Sequence, residues 1–220
     1  EKKIVRKDML QFMLEAKQND EIKFPLCHET TQEALIAQAL ACIGAGFETT
    51  TNVIQMTCYE LAKNPEVQLE LVNEINKINL ELNRERITFE ALNKFKLLDC
   101  VIMEALRLWP PSFTIDRMCN TDVSISSQGK ATHVFKNRDH IIIPVFEIHR
   151  NSEYFKNPEK FDPYRFHGDD LIIPGSYIPY GIGKRSCPGK NFSLLIVKLL
   201  LFHILSQFTI ELCDETRIKV

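Results

Sequence analysis

Residues 180–189 read Tyr-Gly-Ile-Gly-Lys-Arg-Ser-Cys-Pro-Gly, which places one cysteine at the end of a glycine-punctuated loop. Gly181, Gly183 and Gly189 permit backbone turns and close approaches that a Cβ would block. Pro188 suits the first position of a following helix, where its missing N–H is no loss. A helix N-terminus, with Lys184 and Arg185 alongside, favours Cys187 as a thiolate. No second cysteine stands at zinc-site spacing, so zinc is a poor guest. A lone thiolate presented to a bulky, flat partner is instead a good axial ligand for haem iron.

Two further groups carry chemistry. Residues 44–50, Gly-Ala-Gly-Phe-Glu-Thr-Thr, lie inside a long helix-forming run. Each helical glycine costs about 1 kcal/mol relative to alanine, so either another helix packs closely here or a flat cofactor lies against the stretch. Ala45, Glu48 and Thr49 share one helical face. The Thr49 hydroxyl can bond back to the carbonyl four residues earlier or turn outward, and an acid beside an alcohol suits a proton relay. The third group is Glu104 and Arg107, three apart. Such a pair is ordinarily a surface contact worth a few tenths of a kcal/mol. Here Val101, Ile102, Ala105, Leu106 and Leu108 surround it, which predicts burial and therefore a need for further partners.

The elements that must position these groups are mostly helical. The periodicity predicts a short amphipathic helix over 4–16, with Met9 and Met13 in the core, and a loop over 19–27. Thr30 or Thr31 caps a long helix that runs to about Lys63 and is stopped by Asn64-Pro65. A helix over 66–78 follows, then a one-turn helix capped by Thr88, then a helix over 95–109 ended by Pro110-Pro111. Runs over 117–125 and 133–145 are strand-like, with a turn-rich link over 126–131, which predicts a hairpin or small mixed sheet. Residues 147–175 read as an ordered irregular segment anchored by Phe155, Phe161, Tyr164 and Phe166. A helix over 188–207 and a short strand over 208–212 close the chain. There is no βαβ alternation and no G-x-G-x-x-G after a strand, which disfavours a nucleotide-binding Rossmann fold.

The composition is that of a globular chain: 220 residues, 45% hydrophobic, 25% charged. A net charge of −2 provides no nucleic-acid surface. The seven cysteines form no C-x-x-C, and six of them read as reduced structural thiols. The longest apolar run, 194–205, is interrupted by Lys198 and His203 and is too short for a bilayer, which takes about 20 residues. It reads as a buried helix.

Residues 180–189 resemble the haem-ligand signature of the cytochrome P450 family, Phe-x-x-Gly-x-Arg-x-Cys-x-Gly. Tyr180, Gly183, Arg185, Cys187 and Gly189 hold its fixed positions, with Tyr for the usual Phe. Residues 45–50 resemble the family's oxygen-activation motif. Glu104 and Arg107 resemble its E-x-x-R pair, and Pro163-Tyr164-Arg165-Phe166 its P-x-R-F element. The resemblance implies a mainly α fold with a minor β component, the C-terminal half of the cytochrome P450 fold. Residues 1–220 are then a partial catalytic domain, without the N-terminal half and the extreme C-terminus. It implies haem b on the Cys187 thiolate, with Arg117 and Arg185 on its propionates and Ala45, Tyr180, Gly181 and Gly189 along its border. Glu48 and Thr49 would be catalytic, and Glu104, Arg107 and Arg165 a structural network needed for haem incorporation. Arg150 and Lys190 are weaker basic candidates, Lys190 toward a redox partner.

The implied activity is a monooxygenase of the animal microsomal, insect-like type. Its partners would be O2, a small lipophilic substrate and an NADPH-cytochrome reductase. Its place would be the cytoplasmic face of the endoplasmic reticulum, held there by an N-terminal anchor outside these residues. Two alternatives stand beside it. A haem-thiolate peroxide isomerase or dehydratase needs no delivered protons, and the Glu48–Thr49 pair argues against it. A non-enzymatic fragment that holds haem weakly or not at all is the other.

Overall fold

The computed structural model describes residues 8–18, 32–82, 87–127, 130–168 and 172–216. The chain divides into two compact units, Glu1–Thr49 and Thr50–Val220.

In the first unit α1 spans Met9–Gln18. Asp8 starts it, its carboxylate accepting from Gln11 N–H at 2.9 Å, one of the orphan donors of a helix start. Met13 is buried, whereas Met9 and Phe12 are exposed, so only one of the two methionines is a core residue. The proposed start of this helix at residues 4–7, the loop over 19–27 and the caps Thr30 and Thr31 lie outside the described residues. Helix α2, Gln32–Lys63, begins in this unit.

The second unit takes over α2 from Thr50. Pro65, with no N–H and a ring that blocks helix continuation, ends α2 and opens α3, Pro65–Glu81, in its first turn. Thr88 caps α4, Phe89–Leu92, accepting from Ala91 N–H at 3.2 Å. Helix α5, Lys96–Leu108, has a remote cap: the Glu74 carboxylate on α3 accepts from the N–H groups of Lys96, Leu97 and Leu98 at 2.9, 2.9 and 3.1 Å. Three orphan donors and the positive end of the helix dipole are satisfied by one side chain.

Helix α5 is buried nearly all round, as a central helix must be. Its Leu98, Val101, Ile102 and Leu106 join Leu61, Leu71 and Ile75, and Val197, Leu201 and Phe202 of α7, Lys190–Leu205, in one core. Lys198 Nζ and Asp99 Oδ1, 2.5 Å apart, tie α7 to α5.

The strand-like runs form two antiparallel pairs and no mixed sheet: β1, Thr114–Met118, with β4, His140–Pro144, and β2, Val123–Ser127, with β3, Lys130–Phe135. The run over 133–145 is interrupted by a turn and ends at Pro144. Val145, expected in a strand, opens a helix, α6, Val145–His149. The irregular segment contains a 3-10 turn, Pro163–Phe166, capped by the Asp162 carboxylate.

The strand expected over 208–212 does not form. Instead the Gln68 side chain pairs with Ile210 as a strand would. Ile210 N–H donates to its Oε1 at 2.7 Å, and its Nε2 donates to Ile210 O at 2.9 Å. No helix among the described residues is long and apolar enough to cross a membrane.

Candidate functional site

The loop that carries Cys187 is closed by its own backbone. Gly181 N–H donates to Ile178 O at 2.9 Å, and Cys187 N–H to Tyr180 O at 2.8 Å. The second bond returns the chain on itself across seven residues, which requires left-handed turns. Gly181 and Gly183 supply them at φ 70° and 78°, conformations closed to most residues with a Cβ. Gly189 is different, with φ −85° as the N-cap of α7. A Cβ there would rest 3.8 Å from Cys187 Sγ, ordinary contact distance. Pro188 is not the first helical residue, because α7 begins two residues later at Lys190.

The Cys187 thiol is free and exposed. Tyr180, at the other end of that backbone bond, is half-buried, and burial pushes its phenol up. The exposed ammonium of Lys190 lies 6.0 Å from the Tyr180 ring.

Strand β1 abuts this loop: a Cβ on Gly181 would stand 3.7 Å from Ile115 Cδ1. Arg117, two residues on, falls on the same face of the strand as Ile115. Arg117 is exposed and its Nη1 donates to Asp116 O at 2.6 Å. Arg185 is exposed in the 3-10 turn Gly183–Arg185. Arg150 is engaged elsewhere. Its guanidinium lies 3.7 Å from the Phe146 ring centroid and 5.6 Å from that of Trp109, with Nε donating to Glu159 at 3.3 Å.

Glu104, Arg107 and Arg165 form one network, the first two fully buried and Arg165 at its edge. Arg107 binds Glu104 bidentately, Nε to Oε2 at 2.8 Å and Nη2 to Oε1 at 2.9 Å, with both side chains fully buried. Arg165 Nε and the backbone N–H of Asp162 also donate to Glu104 Oε1, at 3.0 and 2.8 Å. The remaining guanidinium N–H groups go to backbone. Arg107 reaches His149 O at 2.8 Å and Lys160 O at 3.3 Å; Arg165 reaches Lys156 O at 3.0 Å. Charges this deep persist only when every donor is met, and here most partners are carbonyls of the irregular segment.

In the first unit, Ala45, Glu48 and Thr49 lie exposed on α2. Thr49 Oγ1 donates to Ala45 O at 2.6 Å, the back-bonded alternative of the two open to it. A Cβ added to Gly44 or Gly46 would meet no atom within 4 Å. Close helix packing therefore does not account for these glycines among the described residues. Gly46→Ala is expected to raise the stability of the isolated chain by roughly 0.4–1 kcal/mol, read as an upward shift of its urea midpoint. A loss of stability would show that a neighbour does occupy that space.

The profile described as Cytochrome P450 matches residues 1–220. The chain belongs to the cytochrome P450 family. It is similar to probable cytochrome P450 9f2 of Drosophila melanogaster, 36% identical over 94% of this chain and 41% of that protein. It is likewise similar to cytochrome P450 9b2 of the same fly, at 37% over 97% and 42%, and to cytochrome P450 3A29 of Sus scrofa, at 36% over 98% and 41%. The chain thus spans about two fifths of the length of these curated relatives. The mainly α fold with small antiparallel sheets is that of a P450 fragment.

Several P450 residues that shape the site left no mark in the sequence reading. The Asp162 N–H donates to Glu104, the His149 ring bonds the backbone of Arg107 and Ile178, and Tyr177 stacks on that ring and donates to Met103 O; each bond uses a backbone group, which carries no side-chain pattern. Glu60, buried, accepts from Trp109 Nε1 at 2.9 Å. Its signal was a lone acid in an apolar helix end.

Proposed function

We propose that the full-length protein is a haem-thiolate monooxygenase that inserts one atom of O2 into a small lipophilic substrate. The observation that carries this reading is the exposed Cys187 thiol at the end of its positive-φ glycine loop in a chain of the P450 family. The donor set suits the group. One soft thiol with no second metal ligand fits the axial position of haem b and not a zinc site. Among the described residues no cluster of three metal-ligating side chains exists to compete for a metal. Arg117 and Arg185 provide guanidinium groups for the propionates, and Ala45, Tyr180, Gly181 and Gly189 would border the ring.

Bound haem supplies the dioxygen chemistry. The chain supplies the rest. Cys187, with its N–H already spent on Tyr180 O, presents Sγ from a backbone pinned by that bond. Thr49, its proton donated to Ala45 O, keeps lone pairs on Oγ1 that can accept a proton in transit, and the exposed Glu48 carboxylate exchanges protons with solvent. The Glu104–Arg107–Arg165 network holds the irregular segment in the form that accepts haem. Electrons would come from NADPH through a separate flavoprotein reductase. The site of action would be the cytoplasmic face of the endoplasmic reticulum membrane, by likeness of family type.

A carbon monoxide difference spectrum of the reduced full-length protein tests the ligand. Wild type is expected to give the Soret band typical of thiolate ligation, and Cys187→Ser to lose it. A band unchanged by the substitution removes Cys187 as ligand. Thr49→Ala is expected to leave that band intact while product formed per NADPH consumed falls roughly tenfold or more. Unchanged coupling removes the relay role.

A further inference from the structure

One buried side chain joins the arginine network to the cysteine loop. His149, at the end of α6, has no exposed surface, and it meets Arg107 twice. Arg107 Nη1 donates to His149 O at 2.8 Å, and His149 Nδ1 lies 3.2 Å from Arg107 O. Its other ring nitrogen, Nε2, accepts from the backbone N–H of Ile178 at 2.9 Å. An N–H pointing at Nε2 requires that nitrogen to be bare, so the proton sits on Nδ1 and donates to Arg107 O. The ring is held flat by Tyr177, stacked at 5.3 Å with planes 26° apart. The Tyr177 hydroxyl in turn donates to Met103 O on α5 at 2.9 Å.

Ile178 is the residue from which the loop departs. Its carbonyl takes Gly181 N–H, and two residues on Tyr180 O takes Cys187 N–H. A continuous path of hydrogen bonds and covalent backbone thus runs from Glu104 through Arg107, His149 and Ile178 to Cys187. Every polar atom of the His149 ring is used in it. The guanidinium network explains none of this by itself: the Arg107 side chain makes no bond to the imidazole, and it is the Arg107 carbonyl that takes Nδ1–H.

We infer that His149 is a positioning residue for the thiolate: its neutral Nδ1–H tautomer fixes Ile178 against α5 and thereby sets where Cys187 Sγ is presented. This rests on the reading of Cys187 as the haem ligand. Loss of the Nε2 acceptor would leave a buried N–H unpaired at the root of the loop, and the loop would relax to satisfy it.

Two near-isosteres separate the ring's two bonds. Glutamine carries its amide at about the reach of Nε2, and asparagine at about the reach of Nδ1. The full-length protein carrying His149→Gln is expected to keep most of the thiolate-type ferrous–CO band. His149→Asn is expected to lose it several-fold while its melting temperature stays near that of the glutamine variant. In hydrogen exchange on the same proteins without haem, the Ile178 amide is expected to be protected roughly 100-fold or more in wild type and His149→Gln and to be released in His149→Asn. Equal spectra for the two variants would overturn the inference, as would an Ile178 amide that exchanges freely in wild type. Should neither variant fold, the wild type alone is read: an Ile178 amide protected roughly 100-fold or more supports the clamp, and one that exchanges freely overturns it. A wild type with no thiolate-type band but with the expected exchange pattern would sink the ligand assignment and leave the His149–Ile178 clamp standing.

Discussion

Glu104→Ala is expected to destabilise the chain by about 3–5 kcal/mol, the largest effect of any single change described above. Glu104 is fully buried and its carboxylate receives Arg107 twice, Arg165 once and the Asp162 N–H. Its removal leaves the fully buried Arg107 guanidinium facing a cavity, with no water to replace the lost charge. Ordinary domains have only about 5–15 kcal/mol in hand, so the change would remove from about a fifth to nearly all of that reserve. Urea unfolding with an unchanged slope measures it. An exposed pair provides the contrast. Lys136 and Asp122 lie 2.9 Å apart with both side chains more than half exposed, and Lys136→Ala is expected to cost under about 1 kcal/mol. Equal costs at the two sites would show that the Glu104 network is no more than a solvated ion pair.

The second large effect is a loss of stability in mild acid that belongs to one histidine. Burial holds His149 down from 6.5 to about 4. Between those values the unfolded chain takes up a proton that the folded chain refuses. Stability is therefore fully present above pH 6.5 and falls as pH drops, by about 1.4 kcal/mol per unit, to a loss of about 3 kcal/mol below pH 4. The sign is fixed by geometry. Nε2 accepts from Ile178, a protonated ring cannot accept, and the charges of Arg107 and Arg150 oppose a further cation there. Unfolding free energies of wild type and His149→Gln, compared between pH 7 and 4, isolate the term from the carboxylates that titrate alongside it. Parallel curves for the two proteins would mean that His149 is not held neutral.

Much of the helical frame was legible because its boundaries are local. Asn64-Pro65 and Thr88 act within a turn of themselves, and both stop or start a helix where expected. The cysteine loop was legible for the same reason, since two positive-φ glycines write its shape into the sequence. What failed to show depends on partners far along the chain. The helix α6 follows three isoleucines that read as strand, and only Pro144 marks the change. The start of α5 was placed to within a residue, but its cap was not legible, because Glu74 supplies it from α3. Residues 208–212 have strand composition, yet their partner is a glutamine side chain. In the site, Glu104, Arg107 and Arg165 could be grouped through motif likeness. His149 could not, because its partners are the backbone of Arg107 and Ile178.

The two strand pairs are nested: β2 and β3 lie within the connection between β1 and β4. This order has a kinetic consequence. Without the inner pair, Met118 must find His140 across residues 119–139, a closure whose entropy grows with the length of the loop. Once Val123 has met Phe135, only residues 119–122 and 136–139 remain to be fixed, and the closure becomes easier by about 1 kcal/mol. Cys119 and Asp139 then link the two pairs through a backbone bond of 2.9 Å, with Asp122 accepting from Asn137 N–H at 2.9 Å. The ribbon should therefore zip from its tip inward. Strand β1, with Ile115 against the cysteine loop, would be set last, so the thiol's surroundings are completed late in folding.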